Sequence, residues 1–213
     1  MLRAHAYENP RPDVQALVPR DARRVLDLGC SSGALGAALK QRQPAEVTGV
    51  EIDADYAAAA RERLDRVIRA DVEELFEGDG GLGEFDCVIA ADVLEHLRDP
   101  WTALTRAAGH LRPGGVAVIS LPNIRYWHTF WMLGRHGTWP RTDFGICDRT
   151  HLRFFTLKDA YELIDQAGLT RTRTSPQYRV TPERDPLERP GALGLPVLRA
   201  FFAFQYVIAA ERR

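Results

Sequence analysis

The sequence predicts an α/β fold with a mostly parallel sheet. Short apolar runs of four to six residues recur along the chain, amphipathic stretches rich in Ala, Leu and Arg separate them, and glycine-bearing turns mark the joints. That alternation is the mark of βαβ units. Arg24–Leu28 reads as a first strand and Gly33–Gln41 as the helix after it. Val47–Ile52 is a second strand, followed by a helix over Ala54–Leu64. Arg66–Arg69 is a short third strand and Phe85–Ala90 a fourth. Trp101–Leu111 is a helix, closed by the Arg112-Pro113-Gly114-Gly115 turn before a fifth strand at Val116–Leu121. Gly109 sits near the end of that helix, where glycine is tolerated. Thr156 is an N-cap for a helix running to Gln166, which Gly168 terminates. The tail adds strands near Thr170–Ser175 and Phe204–Ala210 around an irregular, proline-rich Pro176–Pro196. Gly78–Gly83 is a surface loop with no strand leading directly into it.

The length, 213 residues, suits one domain over 1–213 with one sizeable core. A formal net charge of −1 gives no bulk attraction to nucleic acid or an anionic membrane. Cys30, Cys87 and Cys147 are far apart without metal-ligand spacing, and a sparse, odd count fits a reducing, cytoplasmic setting. The opening MLRAHAYENPRPD has no apolar core, so it does not read as a signal peptide. No apolar run approaches the ~20 residues of a membrane span, although peripheral association and a homodimer both stay open.

The most informative segment is Val25-Leu-Asp-Leu-Gly-Cys-Ser-Ser-Gly33, a buried strand entering a tight turn and then a helix. Gly29 and Gly33 let the backbone approach a ligand, because no Cβ intervenes. The helix start offers free N–H groups. Asp27, ahead of the first glycine, repels a pyrophosphate and favours a cationic amine. The dinucleotide pattern G-x-G-x-x-G is absent, which counts against a nicotinamide-dependent dehydrogenase. Glu51, ending the second strand in Gly49-Val-Glu51, is placed to accept two ribose hydroxyl protons. Asp71, after the third strand, reads equally as an acceptor for an adenine amino group, with Val72 in apolar contact, or as a helix N-cap.

Taken together, VLDLGCSSG, GVEID, RADVEEL, FDCVIAADVLEHLRDP and LRPGGVAVISLPN resemble the class I S-adenosylmethionine-dependent methyltransferases over Val25–Asn123. The resemblance implies a Rossmann-like, seven-stranded sheet with an antiparallel C-terminal strand and S-adenosylmethionine as cofactor. Residues 24–122 would be the cofactor-binding half. Gly29 and Gly33 would frame the methionine part, Glu51 and Ile52 the ribose, Asp71 and Val72 the adenine, and Ala91 and Asp92 the methionine end, with Cys30 also at the cofactor. Residues 1–23 would cap the cofactor, with Tyr7 and Arg11 reaching its carboxylate. Ser31 departs from the family's usual middle glycine, although serine still permits a close turn.

Between Asn123 and Phe155 lie eight aromatics, three of the four tryptophans among them, with interspersed arginines and His128, His136 and His151. Following the fifth strand, residues 123–155 read as an insertion forming the substrate side, ahead of a C-terminal helix and strands over 156–213. The aromatics serve either to contact a substrate or to form the insertion's own core. Methyl transfer to a hydroxyl or amine is helped by a general base, for which His151, His128 and Asp143 are the candidates. His96, in Leu94-Glu-His-Leu97, belongs to a segment common to the fold and reads as packing near the cleft. No metal is expected, since the histidines lack ligand spacing such as H-E-x-x-H.

Cys147-Asp-Arg-Thr-His-Leu-Arg-Phe-Phe155, with Leu121-Pro-Asn123 and Tyr126-Trp127, resembles bacterial methyltransferases encoded with or fused to glycosyltransferases of surface-polysaccharide or O-antigen synthesis. A small-molecule or glycan hydroxyl is the implied acceptor. The same mixture of side chains suits a quinone, a polyketide or a nucleotide-linked substrate. Two further readings stand beside it: an accessory protein of methionine biosynthesis that keeps the fold, and an RNA methyltransferase, disfavoured by the charge and the lack of an RNA-binding module.

Overall fold

A computed structural model describes residues 8–76, 82–178 and 200–213 of the chain. The strands are β1 (Arg24–Leu28), β2 (Glu46–Glu51), β3 (Arg66–Arg69), β4 (Phe85–Ala91), β5 (Leu111–Pro122), β6 (Leu169–Tyr178) and β7 (Ala203–Arg212). They form one seven-stranded sheet in the order β3-β2-β1-β4-β5-β7-β6. β1 to β5 pair in parallel, and β7 lies antiparallel between β5 and β6. The sheet is the Rossmann-like arrangement expected, with its antiparallel strand near the C-terminus. Strand order reverses between β1 and β4, which opens the crevice where such sheets bind ligands.

The helices are α1 (Pro12–Gln15), α2 (Ala34–Arg42), α3 (Ala54–Arg61), α4 (Val72–Leu75), α5 (Pro100–Gly109), α6 (Trp127–His136) and α7 (Leu157–Gln166). Alternate residues of the central strands face two separate apolar layers, which is why these strands read as near-continuous apolar runs. Val25, Cys87, Ile89 and Val118 pack with Val14, Leu35, Leu39 and Ala60 of the α1–α3 side. Leu26, Leu28, Val88, Ala90 and Ile119 pack with Leu104, Ala107, Leu163 and Ile164 of α5 and α7. Truncating Leu26 or Ile89, both fully buried, to alanine would cost about 2–5 kcal/mol.

Local chemistry sets the helix ends. Asp99 caps α5 by accepting from Thr102 N, with Pro100 in the first turn, and Gly109 closes it. Thr156 and Asp159 form a reciprocal capping box on α7, and Gly168 follows at φ 73. Several boundaries shift by one to three residues, and two of the differences bear on the sheet. Leu111 already pairs with Phe85, so Arg112–Gly115 is a bulge within the β4–β5 ladder rather than a turn ahead of the strand. β6 runs on to Tyr178 through Pro176, which an edge strand tolerates because one side needs no donor. Most of the expected irregular stretch Pro176–Pro196 lies outside the described residues.

The aromatic segment 123–155 is only partly as expected. Asn123 bridges Phe155, closing its base, and α6 projects from it. Trp127, Phe130, Trp131, Trp139, Phe144 and Phe154 are exposed, so these rings are not the segment's own core. None of the described helices is long and apolar enough to cross a membrane.

Candidate functional site

A cleft of about 890 Å³ runs along the C-terminal edge of the parallel strands. The sheet order lays its acidic side chains out laterally. Asp71 follows β3, Glu51 ends β2, Asp27 lies in β1, and Asp92 follows β4. Pro122 of β5 and Gln205 of the antiparallel β7 complete that edge. Among the described residues, eight carboxylate side chains (Asp27, Glu51, Asp71, Glu73, Asp92, Glu95, Asp143 and Asp148) line the cleft against one guanidinium, Arg11. This is a cleft for a cation, and it opposes a pyrophosphate.

Asp27 is 2% exposed and its Oδ2 has no hydrogen-bond partner among the described residues. Burial, and then the nearby Glu51 carboxylate, push its pKa up to about 7. Glu51 is oriented by two backbone amides: Ser31 N donates to Oε2 at 2.8 Å and Asp53 N to Oε1 at 2.9 Å. Each oxygen keeps a lone pair for a ligand hydroxyl. Asp71 caps α4, accepting from Glu73 N at 2.8 Å, and also lines the cleft.

The tight turn after β1 shows what its small residues do. Gly29 has φ 65, and a Cβ there would lie 2.5 Å from Val93 Cγ2. Ser31, at the family's usual glycine position, adopts φ 49, a left-handed conformation that costs an L-residue about 1–2 kcal/mol. Gly33 corrects an expectation, because it does not line the cleft. It faces α3, where a Cβ would sit 3.3 Å from Ala60 Cα and 3.1 Å from Leu64 Cγ. Glycine is needed there for helix packing rather than for ligand approach.

Arg11 and Asp92, both at positive φ, close the other end of the cleft. Arg11 donates to Asp92, to Asp13 (2.9 Å) and to Ser120 Oγ (2.8 Å), and Gln205 also donates to Asp92. The two aspartates hold the guanidinium above its ordinary pKa despite its burial. Arg11 is thus tied to protein carboxylates, which a ligand carboxylate would have to join. Tyr7 lies outside the described residues.

Of the candidate bases, His151 and Asp143 line the cleft and His128 does not. His128 is exposed on α6, which contributes no residue to the lining. The wall is built by the loop that follows, through Asp143, Phe144, Gly145, Asp148, Thr150 and His151. Leu152 N and Arg153 N of that loop both donate to the Glu95 backbone carbonyl, at 2.9 and 3.0 Å. His151 donates from Nδ1 to Ile146 O (2.9 Å), and burial lowers its pKa, keeping it neutral at pH 7.

Glu95 and His96 also line the cleft beside His151. Glu95 is 1% exposed, both its carboxylate oxygens lack hydrogen-bond partners among the described residues, and burial raises its pKa well above the ordinary value. The sequence held one signal for it, a charged residue inside the apolar Val93-Leu94-x-x-Leu97 run. Ile52, Val72, Cys30 and Ala91 line the cleft as well, and Ile52 is 62% exposed, open to stack against a ligand.

Residues 2–173 match the methyltransferase-domain family. An uncharacterized methyltransferase of Mycobacterium tuberculosis is 37% identical over 129 residues, covering 56% of this chain and 64% of that protein. The match thus spans less than two thirds of that relative. A ubiquinone biosynthesis O-methyltransferase of Cereibacter sphaeroides is 29% identical over 212 residues, covering 94% of this chain and 78% of that protein. The crystal structure of a SAM-dependent methyltransferase from Thermotoga maritima superposes with a TM-score of 0.67 at 19% identity, over 97% of this chain and 89% of that one, and shares the fold.

Proposed function

The chain belongs to the methyltransferase-domain family, and from that premise we propose that it binds S-adenosylmethionine in the acidic cleft and transfers its methyl group to a small-molecule hydroxyl. Bound there, the cofactor supplies an electrophilic methyl carbon on a sulfonium sulfur. The observation that carries the reading is the buried, unpartnered Asp27 Oδ2 between Glu51 and Asp92 on adjacent strands. Four neighbouring strands at ~4.8 Å spacing spread the acids over about 14 Å, the span of a nucleoside with an amino-acid arm. Asp27 holds the ammonium, Glu51 the ribose hydroxyls, and Asp71 with Val72 the adenine. Ala91 and Asp92 border the methionine end, with Gly29 lining the cleft beside them.

His151 and Asp143 address the acceptor. His151 is the better placed of the two, because its ring is fixed through Nδ1 while Nε2 stands at the cleft wall 3.9 Å from Glu95 Oε1. That the Cereibacter relative is an O-methyltransferase supports an oxygen acceptor. A sugar or glycan-related hydroxyl suits the wall itself: Phe144 offers a ring face for sugar C–H groups, while Asp148, Thr150 and Gln205 offer polar partners. The free thiols Cys30, Cys87 and Cys147 support a reducing, cytoplasmic setting.

The test is calorimetry with S-adenosylmethionine, followed by S-adenosylhomocysteine release against sugar nucleotides, oligosaccharides and phenolic quinone precursors. Cofactor binding with turnover on a sugar hydroxyl is expected. Turnover on phenols alone would replace the sugar by a quinone-type acceptor. Failure of the cofactor to bind would end the methyl-transfer reading.

A further inference from the structure

Three side chains at the acceptor end meet without a hydrogen-bond donor among them. Glu95 and His96 lie on the 3₁₀ turn Leu94–His96, and His151 lies on the loop that packs against it. Each offers one ligand atom, and these atoms all lie within 4.8 Å of one another. The imidazoles of His96 and His151 meet edge to face with centroids 4.7 Å apart.

Both rings are anchored through Nδ1, His96 to Thr150 O at 3.2 Å and His151 to Ile146 O at 2.9 Å. A carbonyl oxygen only accepts, so Nδ1 carries the proton on each neutral ring and Nε2 is left as a lone-pair nitrogen. Glu95 Oε1 lies 3.9 Å from His151 Nε2, and neither it nor Oε2 has a hydrogen-bond partner among the described residues. An ionised, buried carboxylate with the lone-pair Nε2 of His151 3.9 Å away and the His96 ring within ligand reach has no donor turned toward it, which is costly unless something electropositive joins it. A proton on Glu95 answers one of the three. A cation answers all of them, and Asp92 and Asp148 nearby add to its attraction.

We propose that Glu95, His96 and His151 bind one divalent first-row transition-metal ion facing the cleft. Two imidazoles and a carboxylate make a zinc-type donor set with three protein ligands and an open position. Backbone carbonyls on the far ring nitrogens are the outer partners that orient such histidines. Ligand atoms at about 2.0–2.2 Å from an ion stand roughly 3–3.5 Å apart, so the 3.9 Å gap closes with small side-chain rotations. Glu95 and His96 are adjacent but His151 is remote in sequence, so no spacing motif marks the site. The ion site stands on this geometry. Its use, polarising an acceptor oxygen in the open position, rests on the methyl-transfer reading.

The experiment titrates CoCl₂ into chelator-stripped full-length protein, read by visible d–d absorption, with ZnCl₂ competition by calorimetry. One equivalent of Co²⁺ should bind and be displaced by Zn²⁺. Outer partners alone are worth about 10–100-fold in affinity, so His96→Ala, His151→Ala and Glu95→Gln should each weaken binding by at least that much. No Co²⁺ spectrum in the wild-type protein, which needs no variant to fold, overturns the site. So does Co²⁺ binding that persists in the His96→Ala/His151→Ala double variant. S-adenosylmethionine calorimetry on the same samples separates the two readings: cofactor binding without Co²⁺ binding removes the ion alone, and Co²⁺ binding without cofactor binding removes the methyl-transfer reading alone.

Discussion

Replacing Asp27 with asparagine should remove a proton that the site must release before it can hold a cation. With Asp27 near pKa 7, the carboxyl is largely protonated at pH 5.5 and half ionised at pH 7. If only the carboxylate holds the ligand's ammonium, affinity falls tenfold per pH unit well below 7, and roughly fifteenfold between pH 7 and pH 5.5. An α-amino group loses its own proton only near pH 7.7–8.0, so this acid limb belongs to Asp27. Calorimetry with S-adenosylmethionine from pH 5.5 to 7 should show the slope in wild-type protein, and Asp27→Asn should bind more weakly with a flat profile. The same group makes the opposite demand on stability without ligand. Its folded pKa lies above the unfolded value, so its contribution is fully present below about pH 3.9 and is lost as pH rises through 7. Roughly three pH units at 1.36 kcal/mol each give up to about 4 kcal/mol. Ligand-free Asp27→Asn should gain a few kcal/mol over wild type at pH 8 and little at pH 4 in urea unfolding. A flat wild-type affinity profile, or the same slope in Asp27→Asn, would refute the placement of the ammonium on Asp27.

Glu51→Ala should weaken cofactor binding by about 1–3 kcal/mol in calorimetry, since it also strands the Ser31 and Asp53 amides; unchanged affinity would remove Glu51 from the ribose. Gly29→Ala puts a Cβ 2.5 Å from Val93 Cγ2 at φ 65, and should lower urea stability by about 1–3 kcal/mol; a neutral effect would mean that Val93 yields freely. Thr156→Ala removes one half of the α7 capping box and should cost about 1 kcal/mol in the same assay, an amount that an effect under a few tenths would contradict.

The sheet and most of the cleft's acidic edge were legible in the sequence because their determinants are local. Apolar runs, caps and turn residues are read off neighbouring positions, and β-strands place their ends at one edge, so Asp27, Glu51 and Asp71 were recognisable as a set. Even there, Gly33 misled, because a glycine tells of a missing Cβ without telling whether a ligand or Ala60 of a neighbouring helix needs the space. The acceptor end was not legible. His128 and His151 are alike as residues in one aromatic segment, and only the fold of the loop turns His151 into the cleft while α6 carries His128 outside it. Glu95 lost its solvent, and His96 and His151 came within reach of it, through contacts between remote segments. Proximity across long sequence separation and the cost of burying charge arise only on folding, so tertiary structure alone decided which acids and histidines share a site.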